Sequence, residues 1–92
     1  ARYVERSVRS DGQTALLQAA SEMERCYSRD YTYAECDLEM TLSPSGHYAI
    51  SVASGSQSDG GYILTATTQR SDGCDEDLTL NAKGGRAPEA CW

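Results

Sequence analysis

The stretch ARYVERSVRSDGQTALLQAASEMERCYS, residues 1–28, sets the architecture of this 92-residue chain. Its apolar or small residues recur at spacings of three and four, in the order Val4, Val8, Gly12, Leu16, Ala19, Met23 and then Cys26 or Tyr27. This period predicts one long helix with an apolar face, and Arg, Glu, Asp and Gln fill the other face. Gly12 costs about 1 kcal/mol in a helix interior, so it marks either close packing or a weak point.

The start of this helix carries no start signal. No N-cap residue precedes the helical pattern, which is already present at Tyr3 and Val4. We therefore expect the natural chain to continue upstream of Ala1.

The rest of the chain changes its period from helical to alternating. Residues 27–37 are polar and Tyr-rich and are predicted to form a loop. Apolar and polar residues alternate in four segments, which predicts short strands at residues 38–42, 47–53, 62–68 and 78–82. The turn SPSG (residues 43–46) follows the first strand, and the loop KGGRAPEA follows the last. The connections have hairpin length, so we predict an α+β fold. One helix packs, through its C-terminal half, on a sheet of three or four antiparallel strands.

Four cysteines, Cys26, Cys36, Cys74 and Cys91, indicate disulfides and an oxidising compartment. Zinc sites usually bring cysteines in close pairs, whereas these are separated by ten, thirty-eight and seventeen positions. Three pairings are possible. We favour Cys26–Cys36 with Cys74–Cys91, which makes two local loops and holds Trp92 against the body of the protein.

Charge and composition argue against several functional classes. The net charge is −6, which disfavours a general binder of nucleic acid or anionic membranes. His47 is the single histidine, and no phosphate-binding glycine loop is present, so we predict neither catalysis nor a cofactor. The acids of residues 72–77 are expected to form a solvated loop, with a calcium site as the alternative.

Several stretches, in order, resemble a type IV pilin, specifically a minor pilin of the PilE-like group. YVERSVRSDGQTALLQAASEMERCY resembles the group's mid-helix, and CYSRDYTYAEC resembles a cysteine-bounded αβ-loop. SPSGHYAISV and YILTATT resemble the first core strands. CDEDLTLNAKGG, with the final CW, resembles the disulfide-bounded C-terminal D-region. The likeness covers nearly the whole chain.

The resemblance implies one globular domain, residues 1–92, with the end of the long helix in 1–28. The αβ-loop is then 27–37, the sheet 38–82 and the D-region 74–92. A hydrophobic N-terminal helical segment, missing here, anchors such subunits in the inner membrane of a Gram-negative cell. The head lies in the periplasm and later in the extracellular pilus. The implied function is structural: a minor subunit that helps to prime pilus assembly, with other minor and major pilins and the assembly machinery as partners.

The resemblance also suggests which residues contact neighbouring subunits. The candidates lie in the αβ-loop and the D-region, namely Tyr31, Tyr33, Lys83, Arg86 and Trp92. Beside this interpretation, we expect Tyr27, Tyr31 and Tyr33 mainly to cover the thin core, with their hydroxyls in water.

Three other functions remain open. A pilin of the ComP type acts as a receptor in DNA uptake through a basic stripe that includes the D-region, but here that region offers only Lys83 and Arg86, with Arg70 nearby. So few cations in a chain of negative net charge disfavour DNA as a partner. The other two alternatives are a pilin specialised for adhesion and a pseudopilin of a type II secretion system.

Overall fold

A single long helix forms the spine of the protein. The computed structural model describes residues 2–92, in which α1 spans Arg2–Asp30 over 29 residues. The helix therefore runs slightly past the predicted end at residue 28, and the first predicted helical residue, Ala1, lies outside the described residues. None of the helices in this part of the chain carries an apolar run long enough to cross a membrane.

A four-stranded antiparallel sheet follows the helix within residues 2–92. Its strands are β1 (Tyr48–Ser54), β2 (Tyr62–Thr68), β3 (Leu78–Asn81) and β4 (Arg86–Ala87), and their spatial order is the sequence order. Tyr48 lies opposite Thr68, and Ile63 lies opposite Asn81. The α+β prediction of one helix on an antiparallel sheet is confirmed.

The predicted first strand, residues 38–42, is wrong as a strand. Only one bridge forms, between Leu42 and Ala49. The Glu39 N–H, which would continue the pairing, instead donates to Oε1 of Glu22 on the helix at 2.8 Å. The fourth strand is β4, which lies in the segment predicted as a loop, and a short 3-10 helix, Glu89–Cys91, follows it.

The core lies between one face of α1 and the sheet. Its largest fully buried side chains are Tyr48, Leu16, Met23, Leu64 and Leu78. Packing begins at the buried Val8, so the expectation that only the C-terminal half of the helix contacts the sheet is wrong. Val4 is 41% exposed and lies outside this face.

Gly12 is a point of close approach between the helix and the sheet. A Cβ atom at this position would lie 2.9 Å from the Tyr48 ring and 3.0 Å from Cδ1 of Leu78. Of the two roles open to Gly12, close packing is therefore the one that the structure shows.

Two disulfides close the two local loops favoured from the sequence. Cys26 is joined to Cys36 and Cys74 to Cys91, and the described residues contain no free cysteine. The first bridge ties the αβ-loop to the end of α1. The second ties the C-terminus to the segment before β3.

Candidate subunit interfaces

A buried carboxylate on the helix fixes the turn before β1. Asp11 lies on the buried side of α1 and accepts hydrogen bonds from the Ser43 hydroxyl, from the Ser45 N–H at 2.9 Å and from the His47 N–H at 3.3 Å. Burial alone raises the pKa of Asp11, but these hydrogen bonds and the nearby His47 outweigh it, so the pKa lies below its ordinary value.

A second buried carboxylate holds the start of the D-region. Asp72 accepts a hydrogen bond from the Tyr48 hydroxyl at 2.7 Å and another from the Cys74 N–H at 3.0 Å. Its backbone carbonyl accepts from Nη1 of Arg9 at 2.8 Å. Burial and the bond to Asp72 raise the pKa of Tyr48, so the phenol stays protonated as the donor. Helix, β1 and D-region are thereby joined in one network.

The last two residues are held from both sides. Nε2 of Gln13, on the helix, donates to the Cys91 carbonyl at 2.7 Å. The Trp92 indole N–H donates to the Ala87 carbonyl at 3.1 Å, and the Arg86 guanidinium lies 4.9 Å from the centre of the indole ring. The cysteine and the tryptophan at the end of the sequence thus fix one shape for the D-region.

Two of the cations expected near the D-region, Lys83 and Arg70, lie apart in the structure. Lys83 is exposed in the turn between β3 and β4, close to the end of β2 that contains Tyr62, since it approaches Gly60. Arg70 follows the other end of β2, where its Nη1 lies 3.3 Å from Nδ1 of His47. The two cations are therefore separated by the length of a strand.

An aromatic cluster joins the αβ-loop to the sheet. The Tyr33 ring lies 4.7 Å from that of Tyr27 and 4.9 Å from that of Tyr62. The hydroxyls of Tyr33 and Tyr62 both donate to the Glu24 carboxylate, at 2.9 and 3.1 Å. Burial and this bond raise the pKa of Tyr33 to about 12. Glu24 is thus a hydrogen-bond partner of both hydroxyls.

Tyr31 points away from that cluster. It is 79% exposed, so the expectation that it covers the core is wrong. Its φ of 59° places a bulky residue in the left-handed region directly after α1, and its N–H donates to the Tyr27 carbonyl at 2.7 Å. The helix end therefore presents a large aromatic side chain to solvent.

The outer face of α1 is exposed along its length. Leu17 is 48% exposed, and its neighbours at spacings of three and four, Thr14, Ser10 and Ser21, are small and exposed. Tyr3, 77% exposed, continues this side towards the N-terminal end. Small side chains with one apolar residue allow another helix to approach closely.

The acids of the D-region do not gather into a metal-binding cluster. Asp75 and Glu76 are exposed, and Asp77 accepts a hydrogen bond from the Thr67 hydroxyl at 3.1 Å. Within residues 2–92, the one group of three potential ligands is Cys26, Asp30 and Cys36. Its two sulfurs are joined in a disulfide, so they offer no thiolate.

Three residues that position these surfaces were missed from the sequence: Asp11, Gln13 and Glu24. Asp72 was expected in a solvated acidic loop, which is wrong, because its side chain is buried. One signal was available, because Asp11 lies three positions after Val8 and four before Ala15, which places a carboxylate on the apolar stripe. Gln13, Glu24 and Asp72 each have a partner far away in sequence, at 78, 38 and 24 positions, and no local pattern announces such contacts. Two of them also have nearer partners, since Glu24 accepts from Tyr33 and Asp72 from the Cys74 N–H.

Comparisons with known proteins agree with this architecture. A family model described as type IV minor pilin ComP, DNA uptake sequence receptor, matches residues 1–81. The chain is also similar to a type IV pilin from Shewanella oneidensis whose structure is known at high resolution. The identity is 29%, the match covers 96% of this chain and 97% of that one, and the TM-score is 0.73. No curated protein sequence matches.

Proposed function

Because the chain belongs to the type IV minor pilin ComP family and is a subunit of a type IV pilus, we propose that its main role is assembly. It primes the fibre together with other minor pilins and is then incorporated beside the major pilin. Family and fold are those of structural pilins, and we assign no catalytic step to any of its residues.

The exposed face of α1 is the observation that carries this proposal. A helix of 29 residues packs on a sheet of short strands by one side only. The half-exposed Leu17 lies among small side chains on the other side. Small side chains around it allow a neighbouring helix to approach closely. In a fibre, this face packs against the helices of neighbouring subunits, and before assembly the protein is anchored in the inner membrane.

The head adds lateral contacts in this proposal. Tyr31 and Tyr33 are the contact residues proposed in the αβ-loop, and Lys83, Arg86 and Trp92 are those proposed in the D-region. Tyr33 and Lys83 flank the same turn, beside Gly61 and Gly60. Exposed tyrosine and arginine side chains are frequent anchors at protein interfaces. Tyr31 fits this role because it is large, exposed and fixed by the helix end.

A charge placed on the helix face tests the proposal. Leu17→Glu should leave the stability of the head within about 0.5 kcal/mol, since the side chain is half-exposed. Expressed in cells in place of the natural protein, it should reduce piliation several-fold by electron microscopy. Gln57→Glu, at an exposed loop position, adds the same charge and should leave piliation unchanged. Normal piliation in the Leu17 variant, at equal protein levels, would refute the role of this face.

DNA uptake is a second candidate, since the description of the matched family names a DNA uptake sequence receptor. The Arg86–Trp92 pair and Lys83 are the cationic features of the D-region that favour it. They lie beyond the matched residues 1–81, and the chain carries a net charge of −6. Phosphate binding depends on clustered Lys and Arg, so we place this role below assembly.

A duplex titration separates the two candidates. We expect the head to bind short DNA duplexes only in low salt, with a Kd weaker than about 10⁻⁴ M at physiological salt, as for non-specific binding. Sequence-dependent binding at micromolar protein that is lost in Lys83→Ala with Arg86→Ala would make DNA uptake the function instead.

A further inference from the structure

One half of the outer edge of β1 is unpaired. The edge begins with two bonds to the preceding segment, from the Ser43 N–H to the Tyr48 carbonyl and from the Ile50 N–H to the Thr41 carbonyl, both 2.9 Å. Backbone groups alternate along a strand, so those of Val52 and the Ser54 N–H face the same outer side. Within residues 2–92 these groups have no hydrogen-bond partner.

The helix keeps this half of the edge open. In the register set by Thr41 opposite Ile50, the next paired residue would be Glu39 opposite Val52. The Glu39 N–H is instead bound by the Glu22 carboxylate at 2.8 Å. The incoming segment therefore leaves β1 after a single bridge. A cleft of about 150 Å³ between the αβ-loop and β1 borders the unpaired residues and is lined by Asp37 as well as by Val52 and Ser54.

Acids outnumber cations around this edge. From residue 30 to residue 69 the chain has five acids and no Lys or Arg. Asp37 and Glu39, in the segment beside the open edge, are exposed, and the cleft that they line with Glu22 also contains Arg25 and Arg29 of α1. Arg29 is paired with Asp30 at 3.0 Å. The side chains of β1 that face solvent are the small Ala49, Ser51 and Ala53. Proteins commonly protect a free edge with Lys or Pro, and β1 has neither.

We propose that the open half of β1 is a docking site for an extended, basic segment of a partner protein. The segment adds to the sheet by backbone hydrogen bonds to Val52 and Ser54, and its Lys or Arg side chains meet Asp37 and Glu39. Strand addition of this kind draws affinity from the main chain and selectivity from the flanking side chains. The site lies on the sheet edge, apart from the helix face used in assembly, and does not depend on that role.

A peptide of alternating lysine and valine, acetyl-Lys-Val-Lys-Val-Lys-Val-amide, is a direct probe. Added to the isolated head, it should slow amide hydrogen exchange at Val52 and Ser54 by about tenfold or more, because both N–H groups become paired. The glutamate counterpart should give no protection. A lysine–valine peptide N-methylated at every residue should give none either, since it keeps the charge but has no backbone N–H to donate from either edge.

Two matched double variants distinguish local recognition from net charge. Asp37→Asn with Glu39→Gln should weaken peptide binding by about tenfold. Asp75→Asn with Glu76→Gln makes the same charge change at exposed D-region positions and should leave binding unchanged. Equal weakening by both pairs, protection of a different set of amides, or no binding at millimolar peptide would each overturn the proposal.

Discussion

At the scale of single residues, the buried side of α1 contains two positions that composition alone would not single out. Asp11 is a carboxylate on an apolar stripe, and Gly12 is a poor helix former at the helix–sheet contact. Their neighbours explain both. Asp11 accepts hydrogen bonds from backbone N–H groups of the turn before β1. Gly12 leaves room for the Tyr48 ring.

Replacing Asp11 tests the first explanation. Asp11→Asn should lower the free energy of unfolding by about 2 kcal/mol at about pH 7, because an amide cannot accept all the hydrogen bonds donated there. Urea denaturation of the variant and the parent protein measures the difference. Glu35→Gln, which neutralises an exposed acid, is the control and should change little.

The pH dependence of that difference has a definite sign. The pKa of Asp11 in the folded protein lies below its ordinary value of 3.8. Its stabilisation is therefore complete above that value and is lost as the pH falls through the lower folded pKa. The gap between parent and Asp11→Asn should shrink as the pH drops below about 4. A gap that stays constant down to about pH 2 would show that the charge of Asp11 contributes nothing.

Gly12→Ala tests the close approach of helix and sheet. Helix propensity alone predicts a gain of about 1 kcal/mol. The new methyl would collide with Tyr48, which is 1% exposed and held by Asp72, so it cannot move freely. We expect a net loss of about 1–2 kcal/mol in thermal or urea unfolding. Ser10→Ala, at an exposed site of the same helix, should be neutral or slightly stabilising, and a more stable Gly12 variant would contradict the packing.

At the scale of elements, the sequence predicted what depends on local pattern. Strand β2 was placed correctly because YILTATT alternates and is rich in β-branched residues. Residues 38–42 alternate too, but the Glu39 N–H, which strand pairing would require, donates instead to Glu22, seventeen positions earlier in sequence. Strand β4 has two residues, and it exists because the turn after β3 brings Arg86 opposite Leu80, which composition does not reveal.

Beyond the pairing of β3 with β2, the end of the D-region is held by its disulfide and by Gln13. Cys74→Ser with Cys91→Ser opens a loop with a sequence separation of seventeen and should cost about 3 kcal/mol in the chain-entropy treatment. Trp92, the single tryptophan, reports locally, and its fluorescence should shift to the red as the end of the chain is released.

The other disulfide provides the matched control. Cys26→Ser with Cys36→Ser should also lower stability by about 3 kcal/mol, but it should leave the emission of Trp92 unchanged in the folded protein. Identical spectra for the Cys74–Cys91 variant and the parent would mean that other contacts hold the D-region.

At the scale of the whole molecule, the distribution of polar and apolar surface suits a subunit better than a nucleic-acid receptor. The helix offers one long exposed face, the D-region is fixed, and Lys83 and Arg70 lie at opposite ends of β2 in a chain of net charge −6. The order of helix, loop, sheet and terminal loop was readable from the sequence. The outward turn of Tyr31 was not, because it depends on how the helix ends.

Quantitative mass spectrometry of pili sheared from cells that express this protein tests the assembly role most directly. The account predicts trace amounts of this chain beside an abundant pilin, and few or no pili when its gene is deleted. Its absence from the fibres, or normal pili in the deletion strain, would contradict assembly and direct attention to a secretion pseudopilus or to DNA uptake.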